Sequence, residues 1–255
     1  MTWNAATYLA FGGERTRAAI DLLHRVPIAS PEAVVDLGCG PGNSTELLRA
    51  RFPEARIVGV DSAPDMIARA TRSGVQAEWL LADAATWSPT APVDLVFANA
   101  LLHWLPDHAR LLPRLAGYLR PGGVLAVQMP KNFEAPTHRL MRAVAGDGPW
   151  AETLGARLPE VSVLDAQSYV RLLRGLGRVD VWETEYLHVL EGPDPVLGWV
   201  RGTALVPVKE ALSAEMYADF EAAYAARLRE AYPPEEDGKT LLPFRRIFVV
   251  VTTSA

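Results

Sequence analysis

The chain has 255 residues, 49% of them hydrophobic and 22% charged, with a net charge of −5, which suits one sizeable globular domain and excludes two large ones. An acidic balance excludes the broad basic footprint that nucleic acids require. No run approaches the roughly eighteen apolar residues of a membrane span, the amino terminus has no basic stretch before an apolar one, and Cys39 is the single cysteine, so a cytoplasmic protein without membrane partner or disulfide is expected.

In chain order, Glu14 to Arg25 places Ala18, Ala19, Leu22 and Leu23 on one helical face, and Pro27 ends that helix. Val34 and Val35 are β-branched and begin a strand covered on both faces, which ends at Asp36 and opens into Gly38-Cys39-Gly40-Pro41-Gly42-Asn43. Thr45 to Phe52 reads as the following helix, with Leu47 and Leu48 inward. Arg56 to Val60 is a second strand ending at Asp61, and Pro64 to Ala70 a helix capped by Ser62, with Met66 and Ile67 on its inner face. Glu78 to Ala82 is a third strand ending at Asp83, and Val93 to Ala98 a fourth with Asn99 at its tip. Arg110 to Leu119 follows as a helix, Arg120-Pro-Gly-Gly123 as a turn and Val124 to Met129 as the fifth strand.

This alternation predicts a doubly wound, mostly parallel α/β sheet with ligand groups at the carboxyl ends of the strands. Asp36, Asp61, Asp83 and Asn99 all fall at such ends. Beyond Pro130 the pattern changes. Lys131 to Pro159 is rich in Pro, Gly and Trp, with a short helical stretch from His138 to Ala145, and reads as a cap. Ala166 to Leu176 returns to the core, Val179 to Leu190 alternates as a strand, and Arg246 to Thr253 is a β-branched terminal strand; one of these last two strands is expected to be antiparallel. Between them, helical patterns at Trp199 to Val208 and Ala214 to Tyr232 form a second lid piece. The expected organisation is one domain, 1–255, with its core at about 30–130, 165–190 and 242–253 and a helical cap from 1–25, 131–160 and 193–240.

The glycine turn carries the chemistry. Gly38, Gly40 and Gly42 let backbone amides approach a ligand where a Cβ would collide. The spacing is not the dinucleotide Gly-x-Gly-x-x-Gly, because Asn43 replaces the third glycine, and Asp36 would repel a pyrophosphate. A cationic or zwitterionic ligand fits better. Asp36-Leu-Gly-Cys-Gly-Pro-Gly-Asn43 resembles the first motif of the class I S-adenosylmethionine-dependent methyltransferases, whose fold is Rossmann-like. That resemblance implies that Asp36, Gly38, Gly40 and Asn43 receive the methionine end of S-adenosylmethionine, the product being S-adenosylhomocysteine. Asp61, about 25 residues after Asp36, stands where an acid accepts hydrogen bonds from a ribose diol, with Ser62 beside it. Asp83 and Ala84 stand where that family receives adenine, Met66 is placed to cover a ring face or simply to fill the core, and Asn99 with Ala100 lines the pocket near the sulfonium.

Methyl transfer is a displacement that needs alignment and exclusion of water rather than a metal. The histidines show no His-x-x-x-His pair, and no metal is expected. His103 and Trp104 follow the fourth strand, with His103 open as a base, a donor to substrate or a rim residue. Further stretches are similar to the trans-aconitate 2-methyltransferase family: Trp3-Asn4, Tyr8 to Phe11, Asp61 to Ala68, Phe97 to Ala100, Trp104 to His108, Val124 to Pro130, Pro136 to His138, Asp180 to Trp182, and Phe244 to Phe248. The likeness implies methylation of a carboxylate oxygen of a small polycarboxylate, with Trp3, Tyr8 and Trp104 as pocket walls. A carboxylate is ionised at neutral pH and needs no base, but a trianion needs cations, and arginine holds carboxylates bidentately. Arg201 and Arg246 are the first candidates, ahead of Lys131 and Arg245. Alternatives are another small acid, an acyl-carrier thioester or a carbon nucleophile as acceptor, or a non-catalytic cofactor sensor. Oligomeric state is open, a monomer sufficing.

Overall fold

The computed structural model describes residues 12–155 and 163–254. The described residues divide into two compact units, a sheet unit of residues 13–130, 163–184 and 246–254 and a helical unit of residues 131–155 and 185–245.

In chain order the elements leading through the sheet unit are α1 Gly12–His24, β1 Ala33–Leu37, α2 Asn43–Arg51, β2 Arg56–Asp61, α3 Pro64–Arg72, β3 Glu78–Leu81, β4 Val93–Asn99, a 3-10 turn Leu102–Trp104, α4 His108–Ala116 and β5 Leu119–Pro130. After α5 Pro136–Asp147 and α6 Ala151–Gly155 come α7 Ala166–Leu173, β6 Gly177–Leu190, α8 Pro195–Arg201, α9 Val206–Ala211, α10 Ala214–Ala231 and β7 Thr240–Thr253. The strands form a seven-stranded sheet in the order β3-β2-β1-β4-β5-β7-β6. β1 pairs in parallel with β2 and β4, β2 with β3, and β4 with β5, while β7 runs antiparallel to β5. The order reverses at β1, between β2 and β4, the place where doubly wound sheets hold ligands at the carboxyl ends of their strands. Val34, Val35, Leu95, Val96, Leu125 and Val127 are essentially inaccessible, as strands covered on both faces demand.

Some local expectations change. Residues 13–24 belong with the sheet unit rather than with a cap: Ala18 and Leu22 are fully buried, and Arg51 donates to the carbonyls of Leu23 and Val26. Ser62 does not cap α3; the N-cap is Ala63, Ser62 is exposed, and Pro64 supplies the preset φ of a first helical residue. Arg120-Pro-Gly-Gly123 is not a separate turn but the irregular start of β5, where the register against β4 shifts between Val93 and Leu95 and Gly122 takes a φ of 76°. A bulge absorbs these residues without ending the strand. Asp107, at φ 55°, caps α4 by accepting the Arg110 N–H, so the helix starts earlier than Arg110.

The helical unit has its own core, in which Trp150, Trp199, Phe220, Tyr224 and Phe244 pack with Leu154, Leu197, Val208 and Leu228. The Trp150 indole donates to the Val144 carbonyl at 2.6 Å, and the Tyr224 hydroxyl donates to the Thr137 carbonyl at 2.8 Å, so these two buried donors are matched. The expected helix from Trp199 to Val208 is two helices, broken at Gly202, which caps α8.

Gly59 shows how tightly β2 and β3 meet. A Cβ there would lie 2.6 Å from the Trp79 ring and 3.2 Å from the Cys39 sulfur. Gly59→Ala is therefore expected to lower stability by about 1–3 kcal/mol, whereas Gly146→Ala, in open space within α5, raises it by up to about 1 kcal/mol. Denaturant titration of both variants checks this, and a Gly59→Ala midpoint equal to wild type would refute the overpacking.

Candidate functional site

The chain leaves β1 through Gly38, Gly40 and Gly42 at φ values of 75°, 54° and 100°, the left-handed region that glycine adopts without strain. The amides of Gly38 and Cys39 both donate to the Val60 carbonyl, at 2.8 and 3.0 Å, and pin the turn to the end of β2. A Cβ on Gly38 would lie 2.8 Å from the Leu101 side chain, so the turn packs directly on the segment leaving β4. At Gly40 a Cβ would meet nothing within 4 Å; the backbone there faces open space.

Asp36 is completely buried. Its Oδ2 accepts the hydroxyls of Ser44 at 2.8 Å and Thr45 at 2.6 Å, while Oδ1 has no hydrogen-bond partner among the described residues. Burial pushes this carboxyl up to about 6, against the two hydroxyls and with help from the nearby charge of Asp61. Ser44 and Thr45 escaped the sequence reading; the signal was a hydroxyl pair in the first turn of the helix after the acid-glycine motif. Asp61, at the end of β2, accepts the Gly40 N–H at 2.9 Å on Oδ2 and the Ala63 N–H at 2.8 Å on Oδ1. Each oxygen keeps a second lone pair for a ligand donor.

Asp83 is exposed and accepts the Ala85 N–H at 2.8 Å, opening a turn in which Ala84 is buried. Arg114 holds this loop through the Ala84 carbonyl and Tyr118 through the Trp87 carbonyl, both at 2.8 Å. Ala100, following Asn99, sits at a φ of 54°, a left-handed conformation that costs a residue with a Cβ roughly 1–2 kcal/mol; its N–H donates to the Gln128 carbonyl at 2.9 Å. Such strain is stored where a fold needs an exact backbone path. The buried Oδ1 of Asn99 has no partner among the described residues. His103 and Trp104 are half-buried in the 3-10 turn, their rings 4.7 Å apart and tilted by 42°.

The strand register aligns a polar row. Asp36 pairs with Phe97, Asn99 with Gln128, Gln128 with Phe248 and Pro130 with Arg246; with side chains alternating every second residue, Asp36, Asn99, Gln128 and Arg246 share one face of the sheet. Gln128 is inaccessible and Arg246 is 4% exposed, and Arg246 Nη1 donates to Gln128 Oε1 at 3.4 Å. Arg246 lies within β7 rather than at its start. Gln128 also escaped the sequence reading, although it is the single amide in the apolar run Val124 to Met129.

Other candidates are placed differently. Arg201 is not available as an anion clamp: its fork closes on the Glu221 carboxylate at 2.8 and 2.7 Å, and the Tyr217 hydroxyl joins the same carboxylate at 2.8 Å. Arg245 pairs with Glu185 at 3.6 Å, and Lys131 is half-buried. Asn43 opens α2, and Met66 is buried in α3. Trp3 and Tyr8 lie outside the described residues. Among the described residues no group of His, Cys, Asp and Glu is arranged to hold a metal, and no helix is long and apolar enough to cross a membrane.

An unfilled buried acceptor on Asp36, open backbone at Gly40 and carboxylates at the ends of β1 and β2 and just beyond β3 fit a ligand that brings cationic and hydroxyl donors. S-adenosylmethionine is such a ligand, with an ammonium, a sulfonium and a ribose diol. A pyrophosphate would meet the same carboxylates as repulsion.

Comparisons with known proteins identify the family. A family model described as a methyltransferase domain matches residues 34–123. A trans-aconitate 2-methyltransferase of Methylobacterium nodulans is 54% identical over 250 residues, covering 97% of each chain, and one of Azoarcus sp. is 51% identical, covering 98% of each. Among solved structures, the YcgJ protein of Bacillus subtilis superposes with a TM-score of 0.62 over 94% of this chain and 99% of its own, at 13% identity, a likeness of fold alone. Full-length identity at this level, on a class I methyltransferase fold, places the chain in the trans-aconitate 2-methyltransferase family.

Proposed function

We propose that the protein transfers a methyl group to a carboxylate oxygen of trans-aconitate, forming a monomethyl ester. The observation that carries this reading is identity of about half over nearly the whole chain, well beyond the cofactor motif, to proteins named for that reaction. S-adenosylmethionine, when bound, supplies a methyl group activated by its attachment to a positively charged sulfur.

In this reading each strand end has one task. Asp36, with its free Oδ1, takes the ammonium end of the donor; the glycine turn and Asn43 line the same end; Asp61 accepts from the ribose; Asp83 and Ala84 meet the adenine; Asn99 and Ala100 border the reacting centre. Arg246 is the carboxylate clamp, because a buried guanidinium on the polar face of the sheet brings full charge and a planar fork. No residue is needed to remove a proton, since the acceptor oxygen is already ionised at neutral pH. His103 and Trp104 then serve as wall and donor beside the substrate. The single cysteine, buried at position 39, suits a reducing cytoplasm.

Incubation with S-adenosylmethionine and a panel of di- and tricarboxylates is expected to add the mass of one methylene to trans-aconitate, read by mass spectrometry. Trans-aconitate left unmodified, with another member of the panel converted, would replace the substrate and keep the chemistry. Arg246→Ala is expected to raise KM for trans-aconitate about ten- to a hundredfold, the worth of a charge-assisted contact, with donor affinity nearly unchanged by calorimetry. An unaltered KM removes Arg246 from the site.

Asp36 makes the donor's affinity pH-dependent. Its carboxyl, at about 6 in the folded protein, must be ionised to hold an ammonium, so affinity is expected to fall as pH drops below about 6. In the free protein the sign for stability is opposite: an acid raised by burial contributes stability below its ordinary value of 3.8 that is lost as pH rises through about 6. Asp36→Asn is therefore expected to flatten the affinity profile and weaken binding above pH 6, with calorimetric titration from pH 5 to 8 as the measurement. A wild-type profile already flat across that range contradicts the role.

A further inference from the structure

We infer that Gln128 is a substrate-positioning residue: its amide N–H group holds a carboxylate oxygen of the tricarboxylate, while its carbonyl aims the Arg246 guanidinium at the same group. The inference rests on the reaction proposed above and deepens it.

Gln128 lies in the middle of the sheet, on β5 between β4 and β7, and is 0% exposed. Its Nε2 has no hydrogen-bond partner among the described residues. A buried donor left unmatched destabilises the folded state by its lost hydration, so native folds keep few of them, and each calls for an explanation. Val124, Leu125, Ala126, Val127 and Met129 around it show what this strand prefers when only packing matters.

The orientation of the amide follows from chemistry. Arginine has five donors and no acceptor, so the Gln128 atom facing Arg246 Nη1 at 3.4 Å must be the carbonyl oxygen. A flipped amide would set donor against donor. With Oε1 committed to Arg246, the two N–H donors point to whatever else adjoins the row. Asn99, the paired residue on β4, offers an acceptor oxygen that is itself without a partner among the described residues, yet the two amides do not bond. The Gln128 donors are therefore left for a third group.

Charge along the row says what that group is. Asp36 stands at one end and Arg246 at the other, with the two neutral amides between. A cation suits the acid end and an anion the arginine end. A carboxylate accepting from Arg246 and from Gln128 Nε2 together has its oxygens fixed by more than one donor, which distinguishes its angle of approach as well as its charge. The anchored carboxylate is thereby held away from the methyl group, and another one of the substrate is presented to it.

Two variants test this in the full-length protein. Gln128→Leu keeps the volume and removes both functions; Gln128→Glu keeps an acceptor toward Arg246 but replaces the donors with an anion. Steady-state kinetics with trans-aconitate are expected to show KM raised about tenfold in Gln128→Leu and further in Gln128→Glu, with kcat lowered less than threefold. Calorimetry is expected to show S-adenosylhomocysteine bound within twofold of wild type, and trans-aconitate binding to that complex weakened in parallel with KM. A wild-type protein that leaves trans-aconitate unmethylated overturns the function itself. A wild type that methylates it, with the KM of either folded variant within twofold, overturns the role of Gln128 alone. If KM, kcat and S-adenosylhomocysteine affinity deteriorate together, Gln128 only supports the fold and the inference fails. Should Gln128→Leu not fold, the same criteria apply to Gln128→Glu, whose carboxylate can pair with Arg246.

Discussion

A carboxylate stripped of water at the end of β1 is the constraint around which the sheet unit is arranged. Asp36 is kept in place by two short hydroxyl hydrogen bonds from Ser44 and Thr45, and those hydroxyls are available only because the chain turns sharply enough for α2 to begin at Asn43. The sharp turn demands three left-handed glycines, and the amides of Gly38 and Cys39 within it in turn need the Val60 carbonyl of the neighbouring strand. Acid, turn, helix start and second strand thus form one cooperative unit. Its members gain energy mainly by satisfying one another, as buried polar networks do when every member but the ligand-facing one is matched.

The same economy governs the second strand end. Asp61 takes one backbone N–H from the turn after β1 and another from the start of α3. One side chain therefore orders both the turn after β1 and the start of α3. Preorganisation of this kind is what displacement chemistry asks of a protein, because alignment rather than proton transfer limits the reaction.

Much of this was legible in the residues. The acid-glycine motif, the acids at the ends of β1 and β2 and the alternation of elements specify a doubly wound sheet because each is a local signal with a local cause: β-branched runs, punctuating glycines and polar strand tips. What escaped depends on pairing between distant segments. Gln128 looks like an accident in an apolar strand until the register of β4, β5 and β7 sets it beside Asn99 and Arg246. Arg201 resembles an anion clamp until the fold brings Glu221, twenty residues away, onto its fork. Ser62 looks like a cap because serine favours that position, but with Pro64 as the first helical residue the N-cap position falls on Ala63. The bulge at Gly122 was hidden for the same reason, since it depends on the register against β4.

The left-handed backbone at Ala100 ties the two halves of the sheet unit in a way that limits how the enzyme can evolve. Its N–H bonds the Gln128 carbonyl while its own φ is held at 54°, so the peptide at the tip of β4 is fixed to the strand carrying the amide. A glycine there would relieve the steric penalty and gain stability, but it would also free the asparagine before it to wander. A bulkier residue would deepen the penalty. Alanine is the compromise: large enough to hold the path, small enough to be forced onto it.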